Sequence, residues 1–171
     1  MRRLVIVILL VCFVLLGGRV VLGPAVDPLD GRVTRVVDGD TLHVRIGGRD
    51  ETVRLLGIDT PELHKPDTPV ECGARGATRA LTRIATGRRV TVIGDSGQDE
   101  RDRYGRLPGY VETEAGLDLG EELVRRGWAA VYVYDGDPFE RVGRYRAAAA
   151  AAADAGVAVA EHCNGDFHSS S

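Results

Sequence analysis

The chain has 171 residues, 44% of them hydrophobic and 27% charged, which is ordinary for a globular protein of one domain. Acidic residues outnumber basic ones by 25 to 22, so the formal net charge is −3 at pH 7. This balance excludes a generally basic surface as the means of attracting a polyanion, so phosphate would have to be bound by clustered arginines and a cation.

The first 23 residues have the pattern of a targeting segment. Two arginines follow Met1, and the uninterrupted apolar run Leu4–Leu16 then extends for 13 residues. A membrane-spanning helix needs about 20 apolar residues, so a signal for export is favoured. No clear small-x-small cleavage site follows, and a cleaved signal peptide and an uncleaved anchor both remain open. We expect a protein that is secreted or held on the extracellular face of the cell membrane, touching the membrane only through this segment.

The rest of the chain is predicted to contain a short linker, one domain and a polar tail. Residues 24–29 include two prolines and form the linker, residues 30–165 form the domain, and residues 166–171 are expected to fray. Loss of the leader would remove three of the 22 basic residues and leave 19 against 25 acidic ones, a formal charge of −6.

Alternating apolar residues predict a series of short strands. Leu42, Val44 and Ile46 alternate with polar residues before a Gly-Gly turn. The same kind of pattern predicts strands over residues 52–56, 89–93 and 109–111.

Three longer segments have helical spacing and are each closed by a glycine: Ala74–Ala85, Leu117–Arg126 and Phe139–Ala155. Strands with intercalated helices in so short a chain predict an α+β fold, and closure into a compact barrel would remove exposed strand edges.

Two cysteines, Cys72 and Cys163, lie beyond the leader. In an exported chain two thiols usually pair, which predicts a disulfide between the first helical segment and the end of the chain. Two free thiols, or a metal site, are the alternatives; a metal site would normally need more nearby Cys and His than this sequence supplies.

Three segments concentrate charge at turns beside apolar strands: residues 36–41, 54–62 and 102–106. The first contains Asp-Gly-Asp, which alone is weak evidence because Asp-Gly is common in hairpin turns. In the second, Asp59 and Glu62 flank a proline turn that follows the strand bearing Arg54. Two carboxylates and a guanidinium can therefore converge, and such a set suits both a hard cation such as calcium and a phosphodiester.

Five motifs occur in order along the chain: Asp38-Gly39-Asp40-Thr41, the run from Arg54 to Glu62, Tyr104-Gly105-Arg106, the run from Glu122 to Gly127, and Tyr132-Val133-Tyr134. Each is modest alone, but the ordered set over about residues 30–156 is specific, and it resembles the staphylococcal nuclease (thermonuclease) family. The resemblance implies a five-stranded oligonucleotide-binding β-barrel with three helices and a Ca2+ site at its mouth.

The resemblance also implies a role for each acidic motif residue. Asp40 and Asp59 would be carboxylate ligands of calcium, and Thr60 would contribute its backbone carbonyl. Glu62 would position or deprotonate the attacking water. For the two aspartates the alternative is a purely structural role, the stabilisation of a turn.

Arg54 and Arg106 would hold the phosphate, and Tyr132 and Tyr134 would line the nucleotide pocket. The alternatives are a salt bridge for Arg54, a solvated surface charge for Arg106, and plain barrel packing for the tyrosines. Family members hydrolyse DNA and RNA and leave 3′-phosphate ends, so DNA and RNA are the expected substrates of a monomeric enzyme.

The chain departs from the family pattern at two places. Pro108 lies where a strand usually continues, which predicts a shortened or edge strand. Residues 155–161 lack the aromatic residue that often follows the last helix. Two rival functions also remain open at this point: a catalytically silent nucleic-acid-binding barrel and a surface module that uses calcium only for rigidity. The complete set of acidic and arginine positions favours the enzyme.

Overall fold

The computed structural model describes residues 27–63, 69–159 and 163–168, which form an α+β domain around a closed five-stranded barrel. The predicted targeting segment, residues 1–23, and residues 24–26 of the linker lie outside the described residues. Among the described residues, no helix is long and apolar enough to cross a bilayer. The expected fold class is confirmed.

The described residues contain seven short strands: β1 (Leu29–Val36), β2 (Thr41–Ile46), β3 (Arg49–Leu55), β4 (Ile58–Asp59), β5 (Arg89–Ile93), β6 (Leu107–Thr113) and β7 (Ala130–Val131). Five of them close the barrel in the order β1-β2-β3-β6-β5, with β5 pairing back to β1. Strands β3 and β6 run parallel, and the other neighbours in the barrel are antiparallel. Strands β4 and β7 form a separate two-stranded sheet beside the barrel.

Three α-helices accompany the barrel in the described residues: α1 (Ala74–Ala85), α2 (Leu119–Arg125) and α3 (Val142–Ala155). Helix α1 has the predicted bounds, whereas α2 and α3 begin later than predicted. Helix α2 starts after Asp118 because that carboxylate accepts hydrogen bonds from the N–H groups of Gly120 and Glu121, at 3.0 and 3.1 Å.

Apolar side chains that alternate along the strands fill the barrel, among them the buried residues Val33, Leu42, Val44, Val53, Leu55 and Val111. Three buried rings cover one side of this core. The ring centroids of Tyr110, Phe139 and Tyr145 lie 5.3 to 6.4 Å apart, in tilted or edge-on arrangements. Helix α3 is thereby packed against the barrel through aromatic contacts.

A buried carboxylate joins helix α2 to helix α3. Asp118 is 4% exposed, and besides capping α2 it accepts a hydrogen bond from the Tyr145 hydroxyl at 2.8 Å. It also forms ion pairs with Arg141 at 2.5 Å and Arg144 at 2.7 Å. These partners offset the cost of burying the charge, and they link the start of α2 to residues at the start of α3.

Pro108 lies in a strand that is neither short nor at an edge, so the expectation drawn from the sequence was wrong. Strand β6 has seven residues and pairs with β3 on one side and β5 on the other. Gly109 accepts a hydrogen bond from the N–H of Leu56 at 3.0 Å, on the β3 side. The backbone of Pro108 therefore faces the other side, where pairing with β5 begins only at Tyr110. The N–H that proline lacks would therefore have taken no part in the hydrogen bonds between β6 and its neighbouring strands.

Cys72 and Cys163 form the predicted disulfide, which joins the segment before α1 to the C-terminal segment. Near this end of the chain Val159 is fully buried, and its N–H donates to the carbonyl of Gly127 at 3.2 Å. An aliphatic side chain thus docks the segment that lacks the expected aromatic residue. Residues 166–168, which the sequence assigns to a frayed tail, are hydrogen-bonded; the rest of that tail, residues 169–171, lies outside the described residues.

Breaking the disulfide is expected to lower the free energy of unfolding by about 2 to 4 kcal/mol, because the bridge restricts the unfolded chain across a separation of 91 residues. Urea unfolding of the oxidised protein with and without a thiol reductant measures the difference. The double variant Cys72→Ser/Cys163→Ser is the control, and its unfolding should not respond to reductant. Equal stability of the oxidised and reduced wild-type protein would contradict the prediction.

Candidate active site

The site is assembled where β2 begins and β3 ends. The register of these strands places Thr41 opposite Arg54, and the carbonyl of Asp40 accepts a hydrogen bond from the N–H of Leu55 at 2.8 Å. The chain then turns through Gly57 and enters β4, which carries Asp59. Residues from two charged motifs are thereby held side by side. The strand-end pattern predicted the meeting of Arg54 and Asp59, whereas a place for Asp40 beside them was implied only by the family resemblance.

Arg54 connects the two aspartates. Its Nη2 lies 3.0 Å from Oδ2 of Asp40 and 3.4 Å from Oδ1 of Asp59. Its Nη1 donates to the carbonyl oxygens of Leu55 and Ile58, both at 3.1 Å, so the guanidinium is fixed to the backbone of the turn. One cation therefore offsets the mutual repulsion of two carboxylates.

Asp40 is buried, with 6% of its surface exposed. Its carboxylate accepts hydrogen bonds from the Thr60 N–H at 3.2 Å, the Thr60 hydroxyl at 3.0 Å and the Thr41 hydroxyl at 3.1 Å. Burial raises the pKa of Asp40 to about 7, against the opposing effect of Arg54. Gly39 allows this close packing, because a Cβ there would lie 2.5 Å from the Thr60 hydroxyl oxygen.

Glu62 lies near the aspartates and is anchored by a residue that the sequence did not single out. The N–H of Glu62 donates to Oε2 of Glu71 at 2.8 Å, and the N–H of Glu71 donates to the carbonyl of Glu62 at 3.1 Å. Burial, followed by the charges of Asp38 and Asp59, raises the pKa of Glu62 above its ordinary value. A carboxylate of raised pKa is a better proton acceptor than an ordinary glutamate.

Arg54 also lines a cleft of about 360 Å³, and the described lining of this cleft does not include Asp40, Asp59 or Glu62. Arg106, Tyr104, Tyr132 and Tyr134 also line it. Tyr132 is 47% exposed and Tyr134 is 64% exposed, so neither packs into the barrel core. The structure thus brings both sequence-predicted arginines and both tyrosines to one cleft.

Arg106 is held in place by Asp102, a contact that the sequence pattern did not indicate. The Nε of Arg106 donates to Oδ2 of Asp102 at 2.6 Å, and its backbone N–H donates to Oδ1 at 2.9 Å. The Tyr104 N–H donates to the same Oδ1 at 2.9 Å. Partial burial opposes the change, but the hydrogen bonds from Arg106 hold the pKa of Asp102 below its ordinary value. Arg106 is therefore not a solvated surface charge.

His168 also reaches the site, although it lies far along the chain from the other residues. Its Nε2 is 3.2 Å from Oδ2 of Asp59, and its Nδ1 is 3.1 Å from Oε2 of Glu71. Nothing in the sequence pattern near His168 pointed to these contacts, because they depend on how the disulfide-linked segment returns to the barrel.

The donor chemistry fits calcium. Asp40 and Asp59 offer carboxylate oxygens within 3.4 Å of a shared guanidinium nitrogen, and Thr60, the residue after Asp59, has a backbone carbonyl that could add a further oxygen ligand. In the described part of the chain, no three side chains of His, Cys, Asp or Glu are grouped so that they could hold a metal ion by themselves. A cation here would thus take its remaining ligands from backbone, water or substrate.

Residues 52–159, more than half of the chain, match the family described as Staphylococcal nuclease homologue. The chain belongs to the staphylococcal nuclease family. The family match includes Arg54, Asp59, Glu62 and Arg106, whereas Asp40 and His168 lie outside it. The position of Asp40 in the site therefore rests on the hydrogen bonds described above.

Two relatives illustrate the similarity. The chain is 41% identical over 91 residues to a thermonuclease of Staphylococcus intermedius, covering 53% of this chain and 49% of that protein. It is 39% identical over 108 residues to the SPbeta prophage-derived endonuclease YokF of Bacillus subtilis, covering 63% of this chain and 36% of that protein. The match thus spans half or less of each relative's own length.

The burial of Asp40 predicts that the metal-free protein loses stability as the pH rises. The unfolded chain releases this proton near the ordinary pKa of 3.8, whereas the folded chain keeps it up to about 7. The unfolded state therefore binds fewer protons between these pH values, and the free energy of unfolding falls across that window. Urea unfolding in a chelator should show wild type losing stability relative to Asp40→Asn from pH 4 to pH 7.

Asp50→Asn is the matched control, because Asp50 is exposed and pairs only with Arg45 among the described ion pairs. Relative to Asp50→Asn, wild type should show no such decline over the same pH range. A constant difference between wild type and Asp40→Asn at every pH would refute the assignment of a raised pKa to Asp40.

Proposed function

We propose that the protein is a calcium-dependent endonuclease that hydrolyses phosphodiester bonds in DNA and RNA and leaves 3′-phosphate ends. One observation carries the proposal: Arg54 contacts the two aspartates and also lines the cleft that contains Arg106. Carboxylates that suit a hard cation contact Arg54, and Arg54 also lines a cleft in the size range of ligand sites. The thermonuclease and endonuclease relatives support the same function.

Glu62 is the general base in this mechanism. Its raised pKa and its anchorage to Glu71 support the removal of a proton from water at a fixed position. The water attacks phosphorus, and the bond from phosphorus to the 5′ oxygen breaks. The phosphate consequently stays on the 3′ side, and the 5′ oxygen takes up a proton from solvent as it leaves.

Arg54 and Arg106 bind the phosphate. Negative charge builds on the equatorial oxygens as water attacks, and the planar guanidinium can donate to two of these oxygens at once. Arg54 has to exchange part of its ion pairing with the aspartates for the phosphate, whereas Arg106 is presented by Asp102. Calcium, when held by Asp40, Asp59 and the Thr60 carbonyl, supplies further positive charge beside the phosphate.

Tyr132 and Tyr134 bind the nucleotide next to the scissile phosphate. Exposed rings can stack on any base, which suits a nuclease that accepts both DNA and RNA. One chain supplies both the cleft and the acidic residues, which is compatible with the proposal that the enzyme works as a monomer.

The protein acts outside the cytoplasm in this proposal, either secreted or held on the outer face of the cell membrane by residues 1–23. The Cys72–Cys163 disulfide supports this location, because such bonds persist mainly in oxidising compartments. Detection of the native protein in the reducing cytoplasm alone, by cell fractionation, would contradict it.

The purified protein is expected to cleave DNA and RNA with calcium and to be inactive in excess chelator. Glu62→Gln should lower kcat by about 10²- to 10⁴-fold, because the amide cannot accept a proton from water. Glu114→Gln, an exposed surface glutamate, is the matched control and should retain wild-type turnover. Full cleavage in chelator would exclude the calcium assignment, and a folded protein without any cleavage would favour a binding or surface module instead.

Replacing either arginine by lysine is expected to lower kcat far more than it raises KM, since lysine keeps the charge but loses the two-pronged contact formed as charge develops. The variants Arg54→Lys and Arg106→Lys are compared with Arg45→Lys on the exposed face of the barrel. A raised KM with unchanged kcat would show that the two arginines bind ground state and transition state equally.

A further inference from the structure

The C-terminal segment reaches the acidic site from the disulfide. Cys163 is buried and bonded to Cys72, the residue that follows Glu71 in the chain. Beyond it the segment folds on itself: the Asp166 N–H donates to the Cys163 carbonyl at 3.0 Å, and the His168 N–H donates to Oδ1 of Asp166 at 2.9 Å. The disulfide and this turn together determine where the imidazole lies.

The imidazole of His168 lies between two carboxylates. Its Nε2 is 3.2 Å from Oδ2 of Asp59, and its Nδ1 is 3.1 Å from Oε2 of Glu71. The same Oε2 accepts the hydrogen bond from the N–H of Glu62. His168 therefore contacts both Asp59 and the carboxylate that holds the N–H of Glu62.

Both oxygens of Asp59 are in contact with positively charged or hydrogen-bonding groups in this arrangement. Oδ1 faces Arg54, and Oδ2 faces His168. The Asp59 side chain is 24% exposed and that of His168 is 53% exposed, so both groups are accessible to solvent. A cation that binds Oδ2 of Asp59 would have to displace the imidazole from that oxygen.

We propose that His168 competes with the divalent cation for Asp59 and so sets the cation affinity of the site. The segment 163–168 covers Asp59 while no cation is bound, and His168 leaves Asp59 when a cation binds. The proposal rests on the proposed function, because it takes Asp59 to be a ligand of calcium.

The disulfide keeps His168 close to Asp59 even when the two side chains are not in contact. His168 is five residues beyond Cys163, so after displacement it stays within reach of Asp59 at an effective concentration of the order of millimolar. A partly exposed contact of this kind is weak, and its removal should change an equilibrium constant by about two- to fivefold. His168 therefore adjusts the affinity of the site without closing it.

Isothermal titration of the metal-free, disulfide-bonded protein with calcium chloride tests the proposal at one fixed pH. His168→Gln should bind calcium about two- to fivefold more tightly than wild type, because the competing contact is weakened. A chain that ends at Gly165 should show the same gain. His43→Gln is the matched control, since His43 lies on β2 and contacts Arg35. It should bind calcium as wild type does.

The NMR signals of the His168 ring provide a readout that does not depend on cleavage. In metal-free protein, Asp59→Asn should shift these signals, and calcium should move the wild-type signals toward those of a solvent-exposed histidine. Unchanged or weaker calcium binding by His168→Gln, in a protein that still cleaves DNA, would overturn the proposal for His168 alone. Absence of calcium binding by both wild type and His168→Gln would overturn it together with the calcium assignment.

Discussion

A single guanidinium, that of Arg54, holds the carboxylates of Asp40 and Asp59 close to each other. Two carboxylates at this spacing repel, and one of them is almost fully buried. The barrel meets this constraint through the register of β2 and β3, which places Arg54 beside the start of β2. The turn into β4 then brings Thr60 back to donate two hydrogen bonds to Asp40. The strand register supplies the cation that contacts both carboxylates, and the turn supplies the hydrogen bonds to the buried one.

The negative net charge of the chain has a consequence for how a polyanion is bound. Long-range attraction is weak, so binding has to depend on contacts formed at short distance. The cleft brings Arg54, Arg103 and Arg106 together, but three aspartates also line it: Asp99, Asp102 and Asp137. Asp102 lowers the local positive charge but fixes the direction of Arg106 through two hydrogen bonds. Electrostatic attraction to a phosphate is therefore weaker at this position, but the guanidinium of Arg106 has a defined orientation.

The sequence predicted the parts of the site that are encoded locally. Helix α1 has the predicted bounds because its apolar residues follow helical spacing, and Arg54 and Asp59 meet because a strand and its following turn carry both. The partner of Arg106 was missed because Asp102 also has an arginine as its sequence neighbour, and only the loop conformation decides between them. The contacts of His168 and Glu71 join residues that are 97 positions apart, which no local pattern encodes. Pro108 was misjudged because the side of the strand that its nitrogen faces depends on the strand's register.

Asp40 shows how function and stability are opposed at this site. It lies at an Asp-Gly-Asp turn, yet it is buried and accepts three hydrogen bonds from threonines. Burial that raises its pKa to about 7 means that the ionised form is poorly stabilised by the protein alone, even with Arg54 beside it. A divalent cation that binds only the folded, ionised form would relieve that cost, and by linkage it would stabilise the native state. Burial thus disfavours the ionised form of Asp40 in the protein alone. For the same reason, a cation that binds this ionised form would stabilise the native state more.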